Sequence, residues 1–230
     1  MQPVNATIRE YEELTESSRV DFLAEHIGEL TDLSEHFLTE AIRFEASPLA
    51  KWFVIKGLGI LKSVESIPLI TQICKEVEVE FENTSLHSIC AWSLGRIGEA
   101  AFVRVMGLLG DGDVETRRCA VDALGEIKDV RALEALCFSL ECDERPVQLW
   151  AGLSLAKIGE DAVPALHELI ARCEVRVRLI ALDAIVKIGS NQSTPVLEEL
   201  LRNGSPEDKR FIIEALAGST LPSYARLTVR

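Results

Sequence analysis

Apolar side chains recur every three or four residues along most of the chain, and polar side chains fill the positions between them. A spacing close to the helical period places the apolar side chains on one face of an α-helix. Glycine, proline and aspartate interrupt this pattern at short intervals, as in segments 110–112, 143–146 and 203–206. The chain is therefore predicted to consist of short amphipathic helices joined by tight turns.

The helical pattern itself repeats with a period of about 31 residues. From Leu94 onward an apolar residue recurs at spacings of 30, 31, 30 and 31, and Leu58 lies 36 residues before Leu94. These positions, called anchors below, are Leu58, Leu94, Leu124, Leu155, Ile185 and Leu216. Related sequences rich in Ala, Leu and Ile surround four of them, at 91–98, 121–128, 153–159 and 183–189. Repetition with this period is typical of helical solenoids.

Each period divides into two helical patterns, so a hairpin of two helices is predicted. Proline stands in the first turn of the second helix, where its missing N–H would have no acceptor, at Pro68, Pro164 and Pro195. One hairpin cannot bury its apolar face alone, whereas stacked hairpins share a continuous core. We predict a stack of about five to six hairpins over residues 47–220, an N-terminal helical cap over 1–46 and a C-terminal tail over 221–230.

Residues 113–127 resemble the short HEAT repeats that are named after phycobilisome lyases. In those repeats Asp, Arg, Ala, Ala-Leu-Gly and Ile-Gly recur at the offsets seen between Asp113 and Ile127. The resemblance covers about three quarters of the chain. It implies an all-α fold, a right-handed α-α superhelix of HEAT-like solenoid type with an N-terminal helical cap. Such repeats serve many unrelated proteins, so the resemblance implies an architecture rather than one activity.

Offsets counted from each anchor separate the core from the surface, because a helix turns by about 100° per residue. Offsets −8, −4, −1, 0 and +3 fall on one side, carry mainly small or aliphatic residues and are predicted to form the core. Offset −7, at the edge of that side, carries long polar residues: Lys51, His87, Arg117, Gln148, Arg178 and Lys209. The resemblance implies that the basic ones pair with carboxylates of neighbouring turns. For Arg117 and Arg178 we expect the partners Asp113, Asp143 or Glu174.

Offsets −6 and −2 point away from the predicted core, and in a HEAT-like stack they line the concave surface. Several carry large apolar or basic side chains, which a surface built only for solubility would not need. The candidate partner-binding residues, with Arg96 one turn further along its helix, are Trp52, Lys56, Trp92, Arg96, Arg118, Leu149, Leu153 and Leu179. Trp and Arg often dominate binding energy, so the tryptophans and arginines are the preferred contacts. The alternative is that Trp52 packs under the N-terminal cap and that tight curvature buries Trp150 and the leucines.

The formal net charge is −13 at pH 7, from 24 Lys and Arg against 37 Asp and Glu. A field of this sign repels nucleic acid and anionic membranes, and no apolar stretch approaches the roughly 18 residues of a spanning helix. Residues 1–5 lack the pattern of a secretory signal. We therefore expect a cytoplasmic protein that binds neither nucleic acid nor membrane.

The six cysteines are scattered along the chain without the spacing of metal ligands. Most of them lie inside apolar helical patterns, where a free cysteine packs as a small hydrophobic residue. We predict that they are reduced thiols, and we expect no metal and no cofactor.

No catalytic residue is predicted. Deoxyhypusine hydroxylase, a helical-repeat enzyme, presents several His-Glu pairs to two irons, whereas this chain has only His167-Glu168. A HEAT-like DNA glycosylase would need a basic groove. The repeat type suggests one enzymatic alternative, a bilin lyase subunit or bilin-binding chaperone. We predict instead a non-enzymatic scaffold or adaptor, monomeric or in a hetero-complex, that binds a segment of an unidentified protein on its concave face.

Residues 76–83 alternate acidic and apolar side chains, a pattern compatible with a strand or with an acidic docking strip. The neighbouring patterns are helical, and the longer spacing between Leu58 and Leu94 leaves about five residues to spare. We predict that this segment ends a helix and continues as a long turn.

Overall fold

Short helices make up nearly all of the described chain, as the apolar periodicity predicts. The computed structural model describes residues 11, 13–26, 34–76, 79–81 and 84–217. The fold is all-α, of the HEAT-like solenoid type. The chain forms two compact units, Met1–Ile127 (unit 1) and Lys128–Arg230 (unit 2). The predicted tail over 221–230 lies outside the described residues.

Unit 1 contains helices and one very short hairpin of strands. In chain order these are α1 (Glu16–His26), α2 (Ser34–Phe44), α3 (Pro48–Leu61), α4 (Ile67–Ile73), β1 (Glu80–Phe81), β2 (Thr84–Ser85), α5 (Leu86–Ile97), α6 (Glu99–Met106), a 3₁₀ turn (Gly107–Gly110) and α7 (Val114–Ile127). The first helices of successive repeats, α3, α5 and α7, pack side by side in this order.

Unit 2 continues the alternation of first and second helices. Its elements are a 3₁₀ turn (Val130–Ala132), α8 (Leu133–Cys142), α9 (Arg145–Ile158), a 3₁₀ turn (Glu160–Ala162), α10 (Val163–Arg172), α11 (Val175–Ile188), a 3₁₀ turn (Asn191–Ser193), α12 (Thr194–Asn203) and α13 (Pro206–Leu216). The first helices α9, α11 and α13 again pack side by side.

The predicted core offsets are confirmed. Every residue at offsets −8 and −4 is buried, and so are the anchors from Leu58 to Ile185. From Leu61 to Ile188, the side chains at offset +3 are half-buried and form the edge of the core. Leu216 departs from the pattern, because its side chain is 59% exposed at the end of α13.

Small residues let the first helices of unit 1 approach closely. A Cβ atom on Gly95 would lie 2.3 Å from the Cβ atom of Glu126 on α7. A Cβ atom on Gly59 would lie 2.8 Å from the Cα atom of Ser93, whose hydroxyl donates to the carbonyl of Ile55 at 2.9 Å. Ser93 therefore sits beside Ile55 and Gly59. These contacts show that equal offsets on neighbouring first helices lie nearly level.

The residue four places after each anchor from Leu58 to Ile185 ends the first helix with a positive φ. Glycine occupies this place at Gly98, Gly159 and Gly189. Lysine occupies it at Lys62 (φ 54°) and Lys128 (φ 59°). A Cβ atom makes the left-handed conformation costly, by about 1–2 kcal/mol for a residue other than glycine. The recurring Ile-Gly pair of the sequence therefore marks the turn of each hairpin.

Replacing Lys128 with glycine is expected to raise the free energy of unfolding by about 0.5–1 kcal/mol. Glycine adopts the left-handed conformation without the clash of a Cβ atom. The free energy gained in this way exceeds the cost of glycine's larger conformational entropy in the unfolded chain. Urea denaturation followed by circular dichroism measures the change. The control is Arg104→Gly inside α6, which should lower the free energy of unfolding by about 1 kcal/mol. A loss of stability in Lys128→Gly would contradict the assignment of this turn.

A buried polar cluster joins the N-terminal segment to the start of α3. The Tyr11 hydroxyl donates to Glu45 Oε2 at 2.8 Å, and the backbone N–H of Ser47 donates to Glu45 Oε1 at 2.9 Å. Arg19 lies over the Tyr11 ring, 5.3 Å from its centroid. Burial, followed by the hydrogen bond to Glu45, raises the pKa of Tyr11 well above its usual range. The helices α1 and α2 pack on α3, where a cap would lie, and the cap over 1–46 stays a prediction.

The acidic segment 76–83 follows the end of α4, as predicted, but it is not only a turn. Glu80 pairs with Ser85 and Phe81 pairs with Thr84 in a two-residue antiparallel ladder. The alternation of acidic and apolar residues was thus a partial strand signal. Residues 77–78 and 82–83 lie outside the described residues.

Three cysteines of unit 1 meet in the core. Cys74, Cys90 and Cys119 are buried, and the Sγ atom of Cys119 lies 3.1 Å from that of Cys74. The hydrogen bond to Cys74, together with burial, raises the pKa of Cys119 well above its usual range. Cys74 and Cys119 therefore stay neutral, and the three buried thiols pack as small apolar groups. In unit 2, burial raises the pKa of Cys137 to about 11.

Candidate partner-binding surface

The candidate residues of unit 1 lie on one face of its three first helices. At offsets −6, −2 and +2 this face consists of Trp52, Lys56 and Ile60 on α3; Ser88, Trp92 and Arg96 on α5; and Arg118, Asp122 and Glu126 on α7. Residues four apart lie on the same side of a helix, and the three helices are level with one another. We call these nine residues the α3–α5–α7 face.

Apolar surface is available on this face. Trp52 and Trp92 are half-buried, and Ile60 is 41% exposed. Arg96 is exposed, and Lys56 and Arg118 are half-buried. Ile60 was not among the predicted candidates, although the same four-residue step, extended by one turn from Lys56, would have found it. The face therefore presents aromatic and aliphatic groups next to basic ones.

One position of the face differs from the prediction. Asp122 at offset −2 is only 5% exposed, so the expectation that this offset points to solvent is wrong for α7. α7 also carries Glu115, whose carboxylate pairs with the Arg118 guanidinium at 2.6 Å. The α7 edge of the face is therefore more acidic and less open than the α3 and α5 part.

Each tryptophan ring of the face is covered by a cation from its own helix. The Lys56 ammonium lies 4.9 Å from the centroid of Trp52, and the Arg96 guanidinium lies 5.8 Å from that of Trp92. The indole N–H of Trp52 donates to the Thr84 hydroxyl at 3.4 Å. A cation held within about 6 Å of an aromatic face is attracted by the ring quadrupole. Both rings therefore have an attractive contact with a cation four residues away.

The charge of this region is opposite in sign to that of the chain. α3 and α5 contain lysine, histidine and arginine but no aspartate or glutamate. Lys51 pairs with Glu76 at 2.6 Å at the edge of the face. Within the described ranges, Lys56 and Arg96 contact their tryptophan rings and form no ion pair with a carboxylate. The acidic chain thus presents a local basic surface.

The structure separates the three leucine candidates of unit 2. Leu149 and Leu153 are half-buried on α9 and remain candidates for contacts there. Leu179 on α11 is only 2% exposed, so the prediction that it lines an open surface is wrong. α11 is flanked by α9 and α13. Leu179 is thus buried, as the sequence alternative expected, and the tight curvature named there as the cause stays a prediction.

At offset −7, Arg178 pairs with a carboxylate other than the expected ones. The Arg178 guanidinium donates to Asp208 Oδ1 at 2.9 Å and to the carbonyl of Cys173 at 3.2 Å. Arg117 donates to the carbonyl of Asp111 at 2.9 Å. Asp113, an expected partner, accepts the backbone N–H of Thr116 at 2.7 Å and caps α7. Arg117 therefore ties α7 to the preceding turn, and Arg178 ties α11 to α13.

Asp208 is the buried carboxylate of this network. Burial alone would raise the pKa of Asp208, but hydrogen bonds from Arg178 and Ser205 outweigh burial and hold this pKa below its usual range. Ser205 and Asp208 also form a reciprocal capping box at the start of α13. The ion pair therefore connects α11 to the first turn of α13.

The one His-Glu pair of the sequence, His167-Glu168, lies on α10. His167 is half-buried on α10, and its Nε2 atom lies 3.3 Å from the Ser193 hydroxyl. It borders a pocket of about 570 Å³ in unit 2, which has an apolar wall that includes Ile170, Val196 and Leu200. Among the residues that the structure describes, no three His, Cys, Asp or Glu side chains are grouped to hold a metal ion. None of the helices in the described ranges is long and apolar enough to cross a membrane.

Two overlapping stretches of the chain, residues 81–156 and 138–217, match the family model of HEAT repeats. The chain belongs to the HEAT-repeat family. The match covers more than half of the chain and includes α5, α7, α9, α11 and α13. It is a match to HEAT repeats in general, and the closer likeness to phycobilisome lyases stays a prediction. No curated protein matched the chain.

Membership of the HEAT-repeat family carries a general functional meaning. HEAT repeats generally mediate protein–protein interaction, because stacked hairpins create extended surfaces on rigid helices. The α3–α5–α7 face begins before the first matched stretch, with Trp52 and Lys56 on α3, and continues into it with Trp92 and Arg118. HEAT repeats thus supply the scaffold on which this face is built.

Proposed function

We propose that this HEAT-repeat protein is a non-enzymatic scaffold or adaptor that binds a segment of a partner protein on the α3–α5–α7 face. The observation that carries the proposal is the pair of half-buried tryptophans, each covered by a cation, on neighbouring first helices. Tryptophan and arginine are the residue types most enriched among residues that dominate binding energy. An apolar area bordered by polar groups is typical of an interaction surface.

The face is prepared for binding because its side chains are already ordered. Ser93 and Gly95 hold α5 against its two neighbours, so the tryptophans project from a rigid base. The cations restrict the rings further. Ordering a long side chain on binding costs about 0.5–1.5 kcal/mol. A partner segment that meets a preordered face avoids much of this cost.

The bilin lyase alternative remains a second prediction, and it differs in what would accompany the protein. A bilin would bring visible absorbance with it, whereas a protein segment would not. Absorbance spectra of the protein purified from its native cytosol distinguish the two functions.

Replacement of Trp92 with alanine is expected to weaken binding of the partner about tenfold, since it removes the central aromatic contact of the face. Affinity capture from native cytosol first identifies proteins retained by the wild-type chain. The Kd of the purified partner is then measured by calorimetry for the wild type and for Trp92→Ala. Val103→Ala is the matched control, because Val103 on α6 is 79% exposed and lies on a second helix.

Equal affinity of the wild type and Trp92→Ala for a partner, with circular dichroism unchanged, would place the binding site elsewhere. Loss of affinity in Val103→Ala alone would move the site to the second helices. Loss in Trp92→Ala with retention in Val103→Ala supports the α3–α5–α7 face.

A further inference from the structure

We infer that the partner segment is acidic. It places two carboxylates against Lys56 and Arg96 and, between them, an apolar side chain against Trp92 and Ile60. This inference rests on the proposed function and specifies its partner. It follows from the basic charge of α3 and α5, the distance between Lys56 and Arg96, and the acidic residues on the α7 edge of the face.

The charge of the face selects the sign of the partner. The chain carries 37 acidic residues against 24 lysines and arginines, yet α3 and α5 contain no acidic residue. Lys51 is matched by Glu76, whereas Lys56 and Arg96 contact aromatic rings and no carboxylate in the described part of the chain. Two basic side chains held in place without a counter-charge favour a segment that supplies carboxylates.

The spacing of the two cations fits a helical segment. Lys56 lies at offset −2 on α3, and Arg96 lies one turn further along on α5. Packed helix axes are about 8–10 Å apart and four residues advance about 6 Å, so the two backbone positions are roughly 11 Å apart. Seven residues of a partner helix advance about 10.5 Å. Carboxylates seven residues apart on one side of that helix can therefore reach both cations.

Apolar contacts lie between the two charged positions. Trp92 is level with Lys56 and adjacent to it on α5, and Ile60 is level with Arg96 on α3. An aliphatic or aromatic side chain midway between the two carboxylates would meet Trp92 and Ile60. Burial of such a side chain increases affinity, and the carboxylates fix the position of the partner helix along the face.

The α7 edge limits where the acidic segment can lie. The Glu115 carboxylate already pairs with Arg118 Nε at 2.6 Å. Asp122 and Glu126 are further acidic residues on α7 at that edge. A carboxylate displaced toward α7 would meet charges of its own sign, and repulsion of this kind excludes incorrect registers. The basic part of the face is therefore confined to α3 and α5.

The test is a double-mutant cycle with defined peptides. One helical peptide of about 16 residues carries two glutamates seven residues apart with leucine and phenylalanine between them. A second has glutamine at both glutamate positions. Their Kd values are measured by fluorescence anisotropy for the wild type, for Lys56→Gln/Arg96→Gln, and for the control Arg104→Gln/Arg176→Gln. The control removes two exposed cations from other helices.

The wild type is expected to bind the glutamate peptide about five- to tenfold more tightly than the glutamine peptide. Lys56→Gln/Arg96→Gln should bind both peptides equally, and Arg104→Gln/Arg176→Gln should retain the preference. Trp92→Ala should weaken the binding of both peptides by the same factor.

Several outcomes would overturn the inference. If the wild type shows no preference for glutamate while Trp92→Ala weakens both peptides, the segment is apolar and only the proposed function stands. If Trp92→Ala binds both peptides as tightly as the wild type does, the proposed function fails with the inference. No binding of the glutamate peptide at about millimolar concentration, or binding of inorganic phosphate instead that depends on Lys56 and Arg96, also rejects an acidic protein segment.

Discussion

Arg178→Ala is expected to lower the free energy of unfolding by about 3 kcal/mol, because it leaves the buried Asp208 carboxylate without its cation. Asp208 would retain its hydrogen bonds from Ser205 but would lose the guanidinium at 2.9 Å. The same change removes the bond from Arg178 to the carbonyl of Cys173. Urea denaturation followed by circular dichroism measures the loss. Arg176→Ala, an exposed change on the same helix, should stay within about 0.5 kcal/mol of the wild type.

The cost of Arg178→Ala should depend on pH in a stated direction. The pKa of Asp208 is lowered in the folded state, so its ion pair contributes stability above the unfolded value of about 3.9 and loses this contribution as pH falls through the folded value. The difference between the wild type and Arg178→Ala should therefore shrink below about pH 4. A difference that stays constant down to pH 2 would show that the ion pair does not stabilise unit 2.

Gly95→Ala is expected to destabilise unit 1 by about 2 kcal/mol, since the added methyl group overpacks the contact between α5 and α7. The new Cβ atom would lie 2.3 Å from the Cβ atom of Glu126 and 3.0 Å from its backbone carbonyl carbon. Those atoms belong to or adjoin the backbone of α7, so relief requires the two helices to separate. The higher helix propensity of alanine, about 1 kcal/mol, offsets part of the larger cost.

Gly107→Ala is the control for this change. Its Cβ atom would have no neighbour within 4 Å, and its φ of −63° suits any residue. Thermal unfolding of both variants separates the contact from the general effect of removing a glycine. Equal melting temperatures for Gly95→Ala and the wild type would show that α5 and α7 can separate without cost, and the level arrangement of the face would lose its support.

The repeat could be predicted from the sequence because it has a strong and redundant signal. The anchors, the small residues at offset −4 and the Ile-Gly pair recur about every 31 residues, and each repetition supports the others. The match to HEAT repeats and the buried anchors confirm this prediction. Lys128 shows that the turn geometry persists where the glycine does not.

The ion-pair partner of an individual side chain was harder to predict than the burial expected from its offset. Arg178 was expected to find a turn carboxylate, yet its partner Asp208 lies at offset −8, a place that the period assigns to the core. Periodicity reports where a residue points and says nothing of which polar groups the core can satisfy. The burial of Asp122 and Leu179 was missed for a related reason, since a single-helix projection omits the neighbouring helices.

The role of the candidate residues in binding stays a prediction, and the structure shows only where their side chains lie. Trp52, Lys56, Trp92 and Arg96 come together on α3 and α5, and Leu149 and Leu153 lie in the other unit. The cation–ring contacts were not predicted, although their four-residue spacing is the usual spacing of neighbours on a helix. Helix projection finds candidates for such pairs, and only the structure establishes which rings are covered.

The indole N–H signals of the three tryptophans test the central claim most directly. In ¹⁵N-labelled protein, titration with the captured partner should shift the signals of Trp52 and Trp92 and leave that of Trp150 on α9 in place. The assignments follow from single Trp→Phe variants. Movement of Trp52 and Trp92 at the concentration that gives the measured Kd would establish the α3–α5–α7 face as the binding site. Movement of Trp150 alone, or of no tryptophan at saturation, would contradict it.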